Sequence, residues 1–421
     1  MSQVVFLTLY LGLVSSVQPV ALKADAEVKS IRIVLDGATV STLTAAPWRG
    51  QVDFGRALLP HEIVAIGLNA SGREIARATQ FVNVPRPLAE IEIVVDRDAG
   101  QRPTRARLVV RHLAQEKPRD ATMKLDDAPL ALDNDFAAAL PAADMKRPHV
   151  LAAEVRFADG AMAQHEFVFG GEFAESTEAQ LTPVAVVATS DAPRGDCFFA
   201  NGKALRVRSI EESETDVVIV RDPSTATLRH QLVHGAMPAL RRFATLDRGT
   251  FAQILSPVAN AVHGAEQATQ LFPTSPVFDA TQTGMLYLLT ELQVRQAGPR
   301  QWADAAAVAG VGAAARGRRR AVVLVLSGAP DKSDYQPATV RDYLAALGVP
   351  LFVWSPGGAI PGIVERWSDV DDISATARLR KATERLRKAL AQQRIAWIEA
   401  DPITALRAEV KDGCGYARLA R

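Results

Sequence analysis

Two tandem all-β sandwiches followed by an α/β, doubly wound domain of Rossmann type form the fold class that the sequence predicts. Three observations point there. The first half carries an internal repeat, each copy shows period-two hydrophobic patterning, and after residue 212 short apolar runs alternate with helix-length segments. A chain of 421 residues exceeds one ordinary core and suits several domains. A hydrophobic share of 48% beside 23% charged residues is that of a folded chain, not a disordered one. The formal charge of +1 supplies no global attraction to nucleic acid or to anionic lipid, so no nucleic-acid partner is expected. The one short basic cluster, Arg316, Arg318, Arg319 and Arg320, runs straight into an apolar segment and reads as the solvated start of a strand.

Residues 4–14 (VVFLTLYLGLV) form an almost uninterrupted apolar run, and Val14 and Ser16 place small residues at −3 and −1 of a cleavage site. The run is shorter than the roughly 20 residues a membrane helix needs. Residues 1–16 are therefore expected to be an export signal, giving a periplasmic or secreted protein that meets the membrane only through export or envelope association. The leading Met-Ser-Gln carries no Lys or Arg, and a buried first strand is the alternative reading. Cys197 and Cys414 are the only cysteines, too few for a disulfide framework and not spaced for zinc. A bond between them would tie the start of the C-terminal domain to its end; two free buried thiols are the alternative.

In the repeat, Leu35-Asp36-Gly37 recurs as Leu125-Asp126-Asp127, and Pro60-His61 followed by Gly72 recurs as Pro148-His149 followed by Gly160. The copies lie about 90 residues apart, the size of an immunoglobulin-like sandwich. Ile31, Ile33 and Leu35 share one face and lead into an Asp-Gly turn, and Val64, Ile66 and Leu68 repeat the pattern. The expected modules are 17–86 and 87–171, separated by the stiff Pro85-Arg86-Pro87 junction. Residues 172–212 are expected to be a linker with a hairpin turning at Asn201-Gly202. From 213 to 421, apolar runs at 217–220, 251–255, 322–326, 351–354 and 395–399 alternate with helical stretches at 283–296, 302–316, 340–347 and 374–392. That alternation describes a parallel sheet covered on both faces.

Ligands of such sheets bind beyond the C-terminal strand ends. The loop after the first strand reads Val220-Arg221-Asp222-Pro223-Ser224-Thr225-Ala226, and its Asp-x-Ser-x pattern resembles the first metal-binding loop of von Willebrand factor A domains. Residues 318–354 are similar to a bacterial branch called VWFA-related, in which immunoglobulin-like modules and an export signal precede the A-like domain. The resemblance implies a magnesium ion held by Asp222, Ser224, Thr281 (or Thr283) and Asp331, with Ser327 and Trp354 contributing to a protein-binding face. Two positions depart from the family pattern: Ala226 stands where a second hydroxyl belongs, and Gly328 where a carboxylate belongs. The expected site is thus degenerate, and the expected function is non-catalytic binding of an unknown protein partner, of adhesion type. An enzyme with an unrecognised site on the same face and a purely structural envelope component are the alternatives.

Enzyme motifs fall away on inspection. His230-Gln231-Leu232-Val233-His234 has zinc-protease histidine spacing, but Gln231 replaces the general base. Gly310-Val311-Gly312 lies at the end of an Ala-rich helix instead of after a strand, so it is no dinucleotide loop, and its glycines are expected to end or loosen that helix.

Overall fold

The computed structural model describes the chain apart from residues 1–3, 9, 11, 86–88, 99, 101, 113–116, 158–161, 172–180, 190–196, 223–242, 260–271, 282, 291–297, 327–328, 358–361, 363 and 419–421. The first module contains β1 (Val4–Phe6), β2 (Val17–Ala24), β3 (Ser30–Leu35), β4 (Ala38–Leu43), β5 (Arg49–Asp53), β6 (His61–Leu68) and β7 (Glu74–Val82). Two antiparallel sheets, β1-β2-β5 and β4-β3-β6-β7, face each other across a core that includes Val20, Leu22, Ile31, Ile33, Val52, Ile63 and Ala65. The alternating pattern read from the sequence is the inward and outward pleat of these strands.

The apolar run at 4–14, expected to be an export signal, is built into this sandwich. Val4–Phe6 pairs with Leu22–Ala24, and Val4, Phe6, Tyr10 and Val14 are buried in the core while Val5 and Leu7 face out. An edge strand followed by a core-filling loop produces the same apolar density as a signal segment, which is why composition alone did not separate them.

The second module repeats the plan with β8 (Ala89–Arg97), β9 (Pro103–His112), β10 (Pro118–Leu125), β11 (Ala128–Leu130), β12 (Ala137–Ala139), β13 (His149–Phe157) and β14 (Met162–Phe169). Its sheets, β12-β9-β8 and β11-β10-β13-β14, match the first module strand for strand. In both, the fourth strand pairs with the third, whereas the constant-type immunoglobulin arrangement puts it on the first sheet.

The repeated Asp and His have a shared structural job. Asp36 and Asp126 adopt positive φ (49° and 48°) in the turn after β3 and β10, a conformation that Asp tolerates. Each carboxylate reaches the start of the partner strand: Asp36 Oδ2 lies 2.7 Å from His61 Nδ1 and Oδ1 accepts the Glu62 N–H, while Asp126 lies 2.6 Å from His149 Nδ1 and accepts the Val150 N–H. His149 Nε2 also sits 3.0 Å from the Asp144 carbonyl, so both ring nitrogens face acceptors and the imidazolium is favoured. The Asp126 hydrogen bond is the main cause that raises its pKa, and the same bond lowers that of Asp126.

The C-terminal region contains β15 (Leu181–Ala188), β16 (Phe198–Ala200), β17 (Lys203–Ala204), β18 (Val207–Glu211), β19 (Thr215–Arg221), β20 (Thr250–Leu255), β21 (Phe278–Asp279), β22 (Arg319–Val325), β23 (Leu351–Ser355), β24 (Val370–Asp372), β25 (Gln393–Glu399), β26 (Glu409–Val410) and β27 (Tyr416–Arg418). Its described helices are α1 (Met285–Thr290), α2 (Trp302–Ala314), α3 (Pro337–Ala346), α4 (Val364–Trp367), α5 (Thr376–Ala391) and α6 (Pro402–Leu406). The six-stranded sheet runs β21-β20-β19-β22-β23-β24, parallel except for the β21 edge. Counted in chain order this is 3-2-1-4-5-6, the doubly wound order. Val218, Val220, Val322 and Leu324 pack against α2 and α3, and Val217, Ile219, Val323 and Val325 pack on the other face against α1 and α5.

Two boundaries differ from expectation. The strand expected at 395–399 does not join the parallel sheet. It is β25, which pairs antiparallel with β15 and β18 in a separate sheet, β18-β25-β15-β27. Those partners come from residues 172–212, so this stretch supplies strands of the C-terminal region as well as the β16–β17 hairpin. Asn201 and Gly202, both at positive φ, make the hairpin turn. Cys197 and Cys414 are bonded, with Cα atoms 5.9 Å apart, inside a small core with Phe198 and Tyr416.

The chain divides into two compact units. One gathers Met1–Pro85 with Leu181–Asn260 and Phe272–Arg421; the other contains Arg86–Gln180. The first sandwich and the α/β region therefore share a unit, joined by a buried seam. Leu58 and Val84 belong to the same core cluster as Trp302, Tyr343 and Leu344, and the Tyr343 hydroxyl donates to the Asn83 carbonyl at 2.8 Å. Asn83 in turn holds the Val14 backbone through both N–H and C=O, and the Leu59 carbonyl.

The basic cluster at 316–320 is not a solvated strand start. Arg320 is fully buried and donates to the carbonyls of Ala314, Leu347 and Gly348, where α2 and α3 end. A cation there suits the negative ends of two helices. Burial nonetheless lowers its pKa to about 10. Arg316 and Arg318 each lie 3.6 Å from Asp216, a carboxylate 1% exposed.

Helix α2 runs through both of its glycines, contrary to expectation. A Cβ at Gly310 would run into the Leu344 side chain of α3, whereas nothing lies within 4 Å of one at Gly312. Gly310→Ala is expected to lower stability by about 1–3 kcal/mol through overpacking, and Gly312→Ala to raise it by roughly 0.5–1 kcal/mol through helix propensity. Denaturant unfolding of the two variants checks the opposite signs. The His149 clasp carries a pH dependence. Because its folded pKa is raised, its stabilisation is fully present below the unfolded value of about 6.5 and disappears as pH rises through the folded value. Histidine-ring NMR on the intact chain should show His149 titrating above that reference and returning toward it in Asp126→Asn.

Candidate binding site at the C-terminal edge of the sheet

Strand β19 is buried along its whole length and delivers Arg221 and Asp222 to the C-terminal edge. Its all-apolar interior, Val217 to Val220, gives it two dry faces, so the two charged residues that end it are taken out of water at a cost that partners must offset. Asp222 is gripped by Arg300: Nε donates to Oδ2 at 3.0 Å and one Nη to Oδ1 at 3.2 Å. The other Nη of Arg300 donates to the Gly298 carbonyl, fixing the guanidinium plane. Arg221 donates from Nε to the Leu288 carbonyl of α1 and from Nη1 to the Asp222 carbonyl, and its Nη2 is buried with no hydrogen-bond partner among the described residues. Burial lowers the Arg221 pKa to about 10, against the opposing pull of Asp222.

The donors expected around a magnesium ion do not assemble. Asp331 caps α2 instead. It accepts the Trp302 N–H at 3.0 Å and the Ser333 N–H and hydroxyl, while Ser333 Oγ accepts the Ala303 N–H. The residue before the helix, Gln301, makes no side-chain cap, so these two side chains satisfy N–H groups that would otherwise be orphaned. Thr281 and Thr283 lie at the wrong end of the sheet. They follow β21, whose Asp279 is in register with Phe251 near the start of β20, and Ala280 donates to the Thr250 carbonyl. The length of a strand, about 20 Å at 3.3 Å per residue, separates that end from Asp222. Thr281 instead closes a turn on Asp279, whose pKa its hydroxyl and then its N–H lower. Ser224 and Ser327 lie outside the described residues, as do Ala226, Gly328 and the His230 and His234 pair. Among the described residues no group of three or more His, Cys, Asp and Glu side chains is placed to hold a metal ion. With its carboxylate engaged by a guanidinium, the described donor set does not fit magnesium.

Trp354, expected to be a contact anchor on this face, is 0% exposed and packs among Ile219, Val323 and Leu379. Its indole Nε1 is buried without a partner. Arg221 and Arg300 were not foreseen as site residues. A charged doublet ending an otherwise apolar buried strand was the available signal for Arg221; nothing local marks Arg300, which reaches Asp222 across 78 positions.

Elsewhere, an open concavity of 760 Å³ on the second module is lined by Asp96, Arg105, Arg107, Asn134, Asp135 and Phe136 among others, with no histidine, serine or cysteine.

No family model matches the chain, and no curated protein matches it. Among solved structures, it is similar to the fibronectin(III)-like modules of Clostridium thermocellum CbhA at 10% identity and a TM-score of 0.17, over 42% of this chain and 100% of that one. The central fibronectin-III array of RIM-binding protein matches at 9% identity and 0.23, over 45% and 81%. A bacterial ice-binding adhesin matches at 13% identity and 0.15, over 46% and 75%. The modules are fibronectin-III-like sandwiches, as their three-plus-four strand order shows, followed by an α/β region with a mostly parallel six-stranded sheet.

The ion pair makes a prediction of its own. Arg300→Met strands the Asp222 carboxylate in a largely buried setting and should cost on the order of 3 kcal/mol. Asp222→Asn combined with Arg300→Met should recover part of that loss, and a double-mutant cycle by denaturant unfolding measures the coupling.

Proposed function

We propose that this protein is a non-catalytic, extracytoplasmic binding protein, related in plan to the bacterial VWFA-related group, that recognises a protein partner with the C-terminal edge of its α/β sheet. The recognition uses fixed arginines and no divalent ion. The Arg300–Asp222 pair carries the reading, because a guanidinium bidentate on the carboxylate supplies the positive charge that a bound cation would bring to that position. The 3-2-1-4-5-6 strand order and the placement of Asp222 at the end of the first strand support the relation to A-like domains. The Cys197–Cys414 disulfide supports a location outside the reducing cytosol. Among the described residues, no helix is long and apolar enough to cross a membrane.

Isothermal titration with Mg²⁺ and Mn²⁺ tests the metal-free reading: wild type should give no saturable heat. Saturable heat that Asp222→Asn abolishes would overturn it. Thiol alkylation of whole cells and fractions should find Cys197 and Cys414 protected until reduction. Replacing both by Ala should cost about 2–4 kcal/mol, read by denaturant unfolding.

A further inference from the structure

We infer that the C-terminal edge of the sheet holds a carboxylate-binding pocket, on the face covered by α1 and α5, in which Arg221 Nη2 and Trp354 Nε1 are the donors and an acidic side chain of the protein partner is the ligand. The inference rests on the reading of this edge as a binding face and names the chemistry it selects.

The register places the two donors together. Arg221 pairs with Val325, and Val325 with Trp354, so the three form one row across β19, β22 and β23, the last complete row before the strands end. All three side chains point to the same face, since Arg221 bonds the Leu288 carbonyl of α1 and Trp354 and Val325 pack in the core shared with α1 and α5. Two buried N–H donors in one row lack acceptors among the described residues, and both side chains are 1% exposed or less. A buried donor left unmade carries its full desolvation penalty, and here two flank one apolar residue. The carboxylate next in the row, Asp371, is engaged by Arg385 and is not bonded to the indole.

Charge points to the same ligand class. Arg300 takes both carboxylate oxygens of Asp222, while Arg221 donates to the Leu288 and Asp222 backbone carbonyls, so among the described residues no carboxylate reaches Arg221 Nη2. A guanidinium donor with fixed positive charge favours an anionic acceptor. A carboxylate supplies the acceptors a guanidinium and an indole require, and Arg is the side chain best matched to it. Both donors are shielded from solvent, so the ligand enters through a local opening.

The test uses the intact chain and its five tryptophan indole N–H resonances, with Trp354 identified by its loss in Trp354→Phe. Sodium acetate and a short glutamate-containing peptide are titrated, beside sodium chloride and sodium sulfate. The expected result is a saturable shift of the Trp354 indole with both carboxylates, tighter for the peptide, and none with chloride. Arg221→Gln should weaken acetate binding by about tenfold or more. If that variant fails to fold, Trp354→Phe keeps the ring packing and removes only the donor; acetate binding read by carbon-13 NMR should still fall. An unmoved Trp354 indole overturns the pocket, as does an unchanged acetate affinity in the variants. Tighter binding of sulfate overturns the carboxylate assignment, and acetate binding without peptide binding overturns the partner side chain as ligand. Metal-dependent heat in the titration of the preceding subsection would instead overturn the metal-free reading and leave the acetate response intact.

Discussion

The central sheet is dry on both faces, and the treatment of charge at its two ends follows from that constraint. Strands β19 and β22 bury alternate residues against opposite helix layers, so no polar group can leave through either face. The charged residues of these strands are confined to the strand ends, where burial makes an unsatisfied group costly. At the N-terminal end Arg320 answers the carbonyls that close α2 and α3, and Arg316 and Arg318 flank Asp216, whose pKa burial raises. At the C-terminal end Arg300 answers Asp222. The same residue type solves both ends because a guanidinium stays charged when buried and presents several donors in a fixed plane.

The two sandwiches share a topology and an Asp–His clasp yet relate differently to the rest of the chain. In the first, Asp36 also meets Arg407 of the α/β region, and Asn83 and Tyr343 complete a seam within one compact unit. In the second, the equivalent Asp126 is tied to His149, and His149 spends its second nitrogen on the Asp144 carbonyl of its own module. The first copy thus shares its compact unit with the α/β region, and the second copy lies in the other unit.

Patterns set by near neighbours in the chain were legible, and distant pairings were not. The pleat of Ile31 and Ile33, the Asn201-Gly202 turn and the alternation of apolar strands with helices are local, and the sequence carries them directly. The run from Val4 to Val14 admits two readings, because an inward-facing strand and an export signal have the same composition. The site was misjudged for another reason: Asp331 lies close in sequence to the end of β22, yet its oxygen is committed to the first N–H of α2, and Thr281 reaches the opposite sheet end because β21 runs antiparallel. Arg300, the residue that decides what Asp222 can do, has no periodicity to announce it.

The pairing of β15 with β25 and β27 has a consequence for how the chain is made. During synthesis the second module's described strands and their pairings are complete in sequence once Phe169 has emerged. The other unit cannot close until Tyr416 arrives, because β15 waits more than two hundred residues for its neighbours and Cys197 waits 217 for its partner. Closing such distant contacts is slow, and unpaired strand edges invite wrong pairings meanwhile. Nascent β15 therefore spends most of translation as an open edge, and a translocating or chaperone-bound state that delays collapse until the C-terminal strands are available would raise the yield of correctly threaded protein.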